Sequence, residues 1–181
     1  VVLGSTSAYD VDDSAEYPPS WVDETALIDL KKPRVQGEEL LRTSYAAIIL
    51  RVAGIYGPGR NPVEWIRTGR VNCSRKYVNL IHVEDLASSC LVALTHADSG
   101  GVYNISDGHP RTWMEICQMV EQRWAIRSSD SQKSQVIGKR VLNRRMSELL
   151  KLGGTGLRYG DLFEALALIQ RNSLNEATPS P

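Results

Sequence analysis

The sequence predicts an α/β domain with a mostly parallel sheet, and three observations carry that prediction. Short apolar runs alternate with amphipathic stretches along the chain, the pattern of strand–helix–strand units. The run Ala46-Ala47-Ile48-Ile49-Leu50 is continuously apolar, as a strand buried on both faces requires. Leu86, Cys90, Ala93, Leu94 and Ala97 recur at helical spacing, which marks one buried face of a helix between strands.

Taken in order, Val1 to Leu3 reads as a short strand running into Gly4-Ser5-Thr6-Ser7. Asp10 to Pro33 is acidic, carries Pro18-Pro19 and has no period, so it reads as a long surface loop. Pro33 suits the first turn of a helix that runs to about Ser44. After the apolar run, Gly54 to Arg60 is a loop by its Gly and Pro content, and Val63 to Thr68 forms a short helix. Tyr77 to Ile81 is a strand, and the helix after it stops at Gly100-Gly101. Val102 to Ile105 is the next strand. Thr112-x-x-Glu115 is a capping box, followed by a helix whose face is Trp113, Ile116, Cys117, Val120 and Trp124. Ser128 to Ser134 reads as a polar linker, Arg144 to Leu152 as a helix, and Asp161 to Gln170 as the last helix. The folded unit is expected over 1–171, with a polar, disordered tail over 172–181.

Composition excludes several function classes. Lys plus Arg and Asp plus Glu number 21 each, so net charge supports neither a nucleic-acid nor an acidic-membrane partner. No apolar run is long enough to span a bilayer. The three cysteines Cys73, Cys90 and Cys117 are odd in number, widely spaced and without a C-x-x-C pair. They read as buried free thiols in a reducing cytoplasm, with no metal site. The chain starts without methionine, inside an apolar run, and is therefore expected to be a fragment truncated on its N-terminal side.

Six segments in order carry a resemblance. Val2-Leu3-Gly4-Ser5-Thr6-Ser7-Ala8-Tyr9-Asp10 is similar to a strand followed by S-S/T-x-x-V-Y-G, and Val22-Asp23-Glu24-Thr25 to the V-D-E-x after it. Leu50 to Arg60 is similar to L-R-x-x-x-x-Y-G-P-G-R, Ile81 to Ala87 to I-H-V-x-D-L-A, and Val102 to Asp107 to v-Y-N-v-s-D. Gly138-Lys139-Arg140-Val141 with Asn143 is similar to the G-K-R-x-x-N of an atypical branch. On these residues the chain resembles the NAD-dependent epimerase/dehydratase family, the extended short-chain dehydrogenases/reductases. The resemblance implies a partial Rossmann-like, doubly wound parallel sheet with a small C-terminal α/β portion that binds substrate. It implies NAD or NADP as cofactor, a small polar substrate, and the possibility of a homodimer.

The resemblance also assigns residues. Ser5 is placed on the substrate oxygen, with a plain turn-capping role as its alternative. Gly4, Ser5, Val52, Ala53, Gly54 and Ile55 border the nicotinamide, where Gly54 lets the backbone come close. Thr6, Arg60 and His82 face the substrate. Arg60 would grip an anionic group, or else be a solvated loop arginine, and His82 is alternatively a packed, hydrogen-bonded histidine. Three departures bear on mechanism. No G-x-x-G-x-x-G turn follows a strand, so binding of the dinucleotide by these residues alone is in doubt. The Tyr-x-x-x-Lys pair is missing: alignment on Glu38 puts Arg34 at the Lys position and Leu30 at the Tyr position, alignment on Glu39 gives Val35 and Lys31, alignment on Pro33 puts Arg34 at the Tyr position, and no register supplies a tyrosine. Arg34 can hold a phosphate or ribose but is always protonated, a poor proton shuttle. Val78 stands where nucleotide-sugar enzymes carry a diphosphate-binding arginine, which disfavours such substrates. The function expected is an NAD(P)-dependent oxidoreductase or epimerase. The alternatives are a dinucleotide-binding regulatory module without catalysis, and a remnant unable to bind cofactor.

Overall fold

The computed structural model describes residues 1–11, 16–127 and 137–176. Its strands are β1 (Val2–Ser5), β2 (Trp21–Val22), β3 (Ile49–Val52), β4 (Gly54–Tyr56), β5 (Tyr77–Val78), β6 (Leu80–His82), β7 (Val102–Ile105), β8 (Arg111–Thr112) and β9 (Arg140–Val141). Its helices are α1 (Pro33–Tyr45), α2 (Pro62–Arg67), α3 (Val83–His96), α4 (Trp113–Trp124), α5 (Arg144–Leu152) and α6 (Leu162–Glu176). Strands β1, β3 and β7 form a parallel sheet in that order, with Leu3 beside Leu50 and Leu50 beside Tyr103. Parallel pairs β4–β6 and β2–β9 and an antiparallel pair β5–β8 complete the strand pairing.

The two faces of β3 bury different things. Leu50 and Val52 pack with Tyr103, Ile105, Leu86, Met146 and Leu149 in one apolar cluster, covered by α3 and α5. On the other face, beneath α1, sits Arg51, 2% exposed. Its guanidinium meets Glu38 Oε2 at 3.4 Å and Glu39 Oε1 at 3.3 Å and lies over the Tyr9 ring. Tyr9 donates to Asn104 Oδ1 at 2.6 Å. A buried guanidinium is tolerated only with such partners. A second apolar cluster joins α2, α4 and α6 through Val63, Ile66, Ile116, Val120, Leu162 and Leu166. Helices thus cover the parallel sheet, as the sequence predicts, and a second helical cluster lies alongside.

Several expectations need correction. The apolar run does not begin a strand at Ala46. Ala46 takes φ 52° and ends α1, and its carbonyl accepts from Gly100 N, so the strand starts only at Ile49. Two expected loops contain strands, because a partner strand satisfies their backbone groups: β2 lies within Asp10–Pro33 and pairs with β9, and β4 lies within Gly54–Arg60 and pairs with β6. The last helix does not stop at Gln170 but continues through Glu176, since no Gly or Pro interrupts it before Pro179. The Ser128–Ser134 linker and residues 177–181 lie outside the described residues. Cys73 and Cys117 are joined in a disulfide, with Cα atoms 5.9 Å apart; only Cys90 is free. The reading of three free thiols is therefore wrong, and the argument from cysteine usage to a reducing compartment falls with it. Among the described residues no helix is long and apolar enough to cross a membrane.

Asp107, just beyond β7, is buried at 4% exposure. Burial pushes its carboxyl up to about 6, against the opposing hydrogen bond from His109 N. The native state therefore favours the protonated form. This contribution to stability is full below the ordinary carboxylate range and is lost as pH rises through about 6. Asp107→Asn is expected to stabilise the fold at pH 7.5 by up to about 3 kcal/mol and to change nothing below pH ~4. Urea midpoints at the two pH values check this; equal shifts at both would refute it.

Candidate active site

The site is assembled at the carboxyl ends of β1 and β3, where ligands bind in open α/β sheets. Ser5 ends β1, and its side chain caps a short 3-10 turn over Thr6–Ala8 by accepting from Ser7 N at 3.2 Å. Its hydroxyl donates to Ser7 Oγ at 3.2 Å. From the first turn of α1, Arg34 Nη2 donates to the same Ser7 Oγ at 2.6 Å. Lys32 Nζ donates to Ser7 O at 3.0 Å. Ser7 Oγ therefore accepts twice, which leaves its own proton to donate elsewhere. Arg34 is aimed in turn by Glu38, whose Oε1 lies 3.9 Å from its Nε.

These groups open on a cavity of about 640 Å³, within the size range of small-molecule sites. Thr6, Ser7, Gly54, Ile55, Trp65, Lys76, Tyr77 and Trp113 are among the residues that line it. The structure thus brings together Thr6, Gly54, Ile55 and Arg60 of the residues predicted from sequence. Ser5 and Arg34 reach this wall through Ser7. Val52 and Ala53 are buried behind it, and the amides of Ala53 and Gly54 are already engaged by Ile105 O and Asn79 O. Gly4 lies under Glu38, so close that an added Cβ would stand 2.6 Å from the carboxyl carbon. Arg60 donates from Nε to Ile55 O at 3.2 Å and lies over the Trp65 ring.

His82 does not join them. It is 1% exposed, caps α3 by accepting from Glu84 N, and stacks on Tyr159 at 3.8 Å. Burial lowers its pKa. It is the packed histidine, and the substrate role is withdrawn. Trp113 is corrected the other way: read from its helix face as core, it packs against the α2–α4–α6 cluster yet also lines the cavity. Lys32 and Lys139 carry no role in the sequence pattern; Ser7 falls with Thr6 where some relatives carry acidic residues, and Lys76 lies near the diphosphate-arginine position but is expected to point elsewhere on a strand. Lys76 precedes β5, so strand alternation does not govern where it points, and Lys139 belongs to the G-K-R segment that carries the resemblance.

A second cleft of about 600 Å³ lies at the opposite end of the strands, near Gly100–Val102. Its arginines are committed within the protein: Arg42 to Glu39, Arg51 to Glu38 and Glu39, Arg144 to Glu148, and Arg145 to Val102 O. Its hydroxyls, Thr25 and Ser99, are likewise committed, to Asp23 and to Ala46 O. Among the described residues no group of three or more His, Cys, Asp or Glu could hold a metal.

Comparison with known proteins follows the same lines. No family model matches the sequence. Protein YeeZ of Escherichia coli K12 is 33% identical over 102 residues, covering 52% of this chain and 37% of that protein. Among solved structures, the dTDP-glucose 4,6-dehydratase of Bacillus anthracis in complex with NAD superposes with TM-score 0.73 at 15% identity, over 97% of this chain and 61% of that one. A putative NAD-dependent epimerase/dehydratase of Methylobacillus flagellatus gives 0.72 at 22% identity, over 95% and 63%. A conserved protein of unknown function from Silicibacter pomeroyi gives 0.69 at 24% identity, over 94% and 65%. The chain thus has the Rossmann-type fold of the NAD-dependent epimerases and dehydratases, and it spans about three fifths of the length of those structures.

Proposed function

We propose that this chain forms the substrate side of an NAD(P)-dependent oxidoreductase of the epimerase/dehydratase type, acting on a small polar carbonyl or alcohol. The observation that carries the reading is the Ser5–Ser7–Arg34 relay facing the cavity beside Gly54 and Ile55. Exposed Gly54, without a side chain, offers the close backbone approach that a flat nicotinamide needs. The residues present fit that end of the cofactor. For the pyrophosphate the sequence holds no glycine-rich turn. When bound, the nicotinamide supplies or accepts a hydride.

The residues around it have separable tasks. Ser7 donates its proton to the substrate oxygen. Arg34, 2.6 Å from Ser7 Oγ, polarises that hydroxyl and supplies a fixed positive charge where alkoxide charge develops. Ser5 holds Ser7 in place and is a positioning residue. Arg34 does not move the proton, because a guanidinium stays protonated; the proton is exchanged with solvent. A cytoplasmic location suits a consumer of NAD(P). A homodimer belongs to the same reading, with Leu40 and Tyr45 of α1 offering exposed apolar surface.

The competing reading is a dinucleotide-binding module without catalysis. It is favoured by the lack of a tyrosine in any register of this segment; Leu30, at the tyrosine position when Glu38 is aligned, is exposed and carries no acidic proton. Ser7→Ala separates the two. In the intact protein it is expected to lower kcat roughly 10²–10³-fold, as loss of one oxyanion donor does, with KM little changed. A variant with unchanged kcat would remove Ser7 from the chemistry.

A further inference from the structure

Resting on the reading of this cavity as a substrate site, we propose that the substrate is a small organic anion, a carboxylate or phosphate ester, with a flat apolar body. Among the described residues the cavity is lined by the cations Lys32, Arg60, Lys76 and Lys139 and by no Asp or Glu. This holds although acidic and basic residues are equal in number in the chain. Gathering like charges around one cavity costs Coulomb energy that an anion offsets.

The cations are also placed to act together. Lys32 Nζ and Lys139 Nζ each donate to a carbonyl of the turn after β1, Ser7 O and Tyr9 O, both at 3.0 Å. Lys32 meets Asp29 at 3.3 Å, a residue outside the cavity wall. Arg60 meets a backbone carbonyl and an indole ring but no carboxylate among the described residues. Lys76 forms no ion pair among the described residues. Arg60 and Lys76 are both exposed and so ready to receive a ligand. Arg60 is the bidentate partner for a carboxylate or phosphate.

The apolar half of the wall sets the rest of the ligand. Trp65 and Trp113 stand edge to face with ring centroids 6.3 Å apart, and Ile55, Val78 and Leu80 continue that surface. A planar or ring-bearing body lies naturally on such aromatic faces. With Ser7 in the same lining, the cavity can recognise three features at once: an acid group, an oxygen to be polarised, and a flat apolar remainder.

Calorimetric titration of the intact protein tests this with phenylpyruvate and phenyl phosphate as anionic probes and phenylacetone as the neutral one. The expected result is that at least one anion binds about tenfold or more tightly than phenylacetone, and more weakly as salt is raised. Arg60→Gln and Lys76→Gln are each expected to weaken that anion about tenfold. Arg145→Gln, in the opposite cleft, should leave it unchanged. Preference for phenylpyruvate or for phenyl phosphate identifies the acid as carboxylate or phosphate ester. Equal binding of the neutral probe, no binding of any probe, or indifference to both glutamine variants overturns the proposal. Titration needs no turnover, so the two ideas fail separately. Selective anion binding without hydride transfer removes the oxidoreductase reading alone. Turnover confined to neutral carbonyls removes the anion proposal alone.

Discussion

Arg51→Ala is expected to destabilise the protein by about 3–5 kcal/mol, the range for breaking a buried ion pair by deleting one partner. Arg51 and Glu38 are 2% and 3% exposed. With the guanidinium gone, Glu38 keeps only Arg34 at 3.9 Å, without a hydrogen bond, and Glu39 loses one of its two arginines. The Tyr9 ring would lose the cation stacked on it. Part of the loss is the charge left behind rather than the pair itself. Glu38→Gln in the Arg51→Ala background is therefore expected to recover stability, and a double-mutant cycle measures the coupling. Urea unfolding of the four proteins provides the test, and additive effects would deny the pair. The network also reaches the site, since Glu38 is the residue that aims Arg34.

Reduction of the Cys73–Cys117 disulfide is expected to cost about 4 kcal/mol of unfolding free energy. That is the chain-entropy value for a closed loop of this length, the two cysteines being 44 residues apart. The same loop carries both Trp65-facing and Trp113-bearing parts of the cavity wall. Ser74 O accepts from Met114 N at 2.9 Å, and Lys76 O accepts from Trp113 N at 3.1 Å. The bridge thus pins the segment presenting Lys76 to the start of α4. Urea midpoints with and without dithiothreitol, and for the Cys73→Ala/Cys117→Ala double variant, should fall together. Midpoints unmoved by either treatment would show that the bridge contributes nothing.

The parts of the fold that were legible in the sequence are those encoded locally. The capping box of Thr112 and Glu115 is formed as read, with Glu115 N to Thr112 Oγ1 at 3.2 Å. Pro33 opens α1, and of the periodic set Leu86 and Ala93 are buried in α3, while Leu94 is exposed and Ala97 caps the helix end. What stayed hidden depends on long-range partners. Neither Cys73 nor Cys117 carries a local sign of its mate; the antiparallel β5–β8 pairing, next to the bridge, draws their segments together. Trp21–Val22 becomes a strand only because Arg140–Val141 lies beside it. At the site, the turn after Ser5 and the Arg60 loop could be read, because each joins a strand end to a recognisable motif. Lys32 and Lys76 could not be read so, since each sits just before an element and is aimed by the backbone that follows.

Isotope transfer in the intact protein shows whether Ser7, in the cavity lining, presents a carbonyl or alcohol for hydride exchange. NADH and NADPH deuterated at the transferring carbon would be incubated with phenylpyruvate and a panel of small carbonyl compounds, with products read by mass spectrometry. Deuterium is expected on the carbinol carbon of at least one product, and is expected to be lost in Ser7→Ala. Binding of the dinucleotide with no deuterium in any product would overturn the catalytic reading and leave the non-catalytic module in its place.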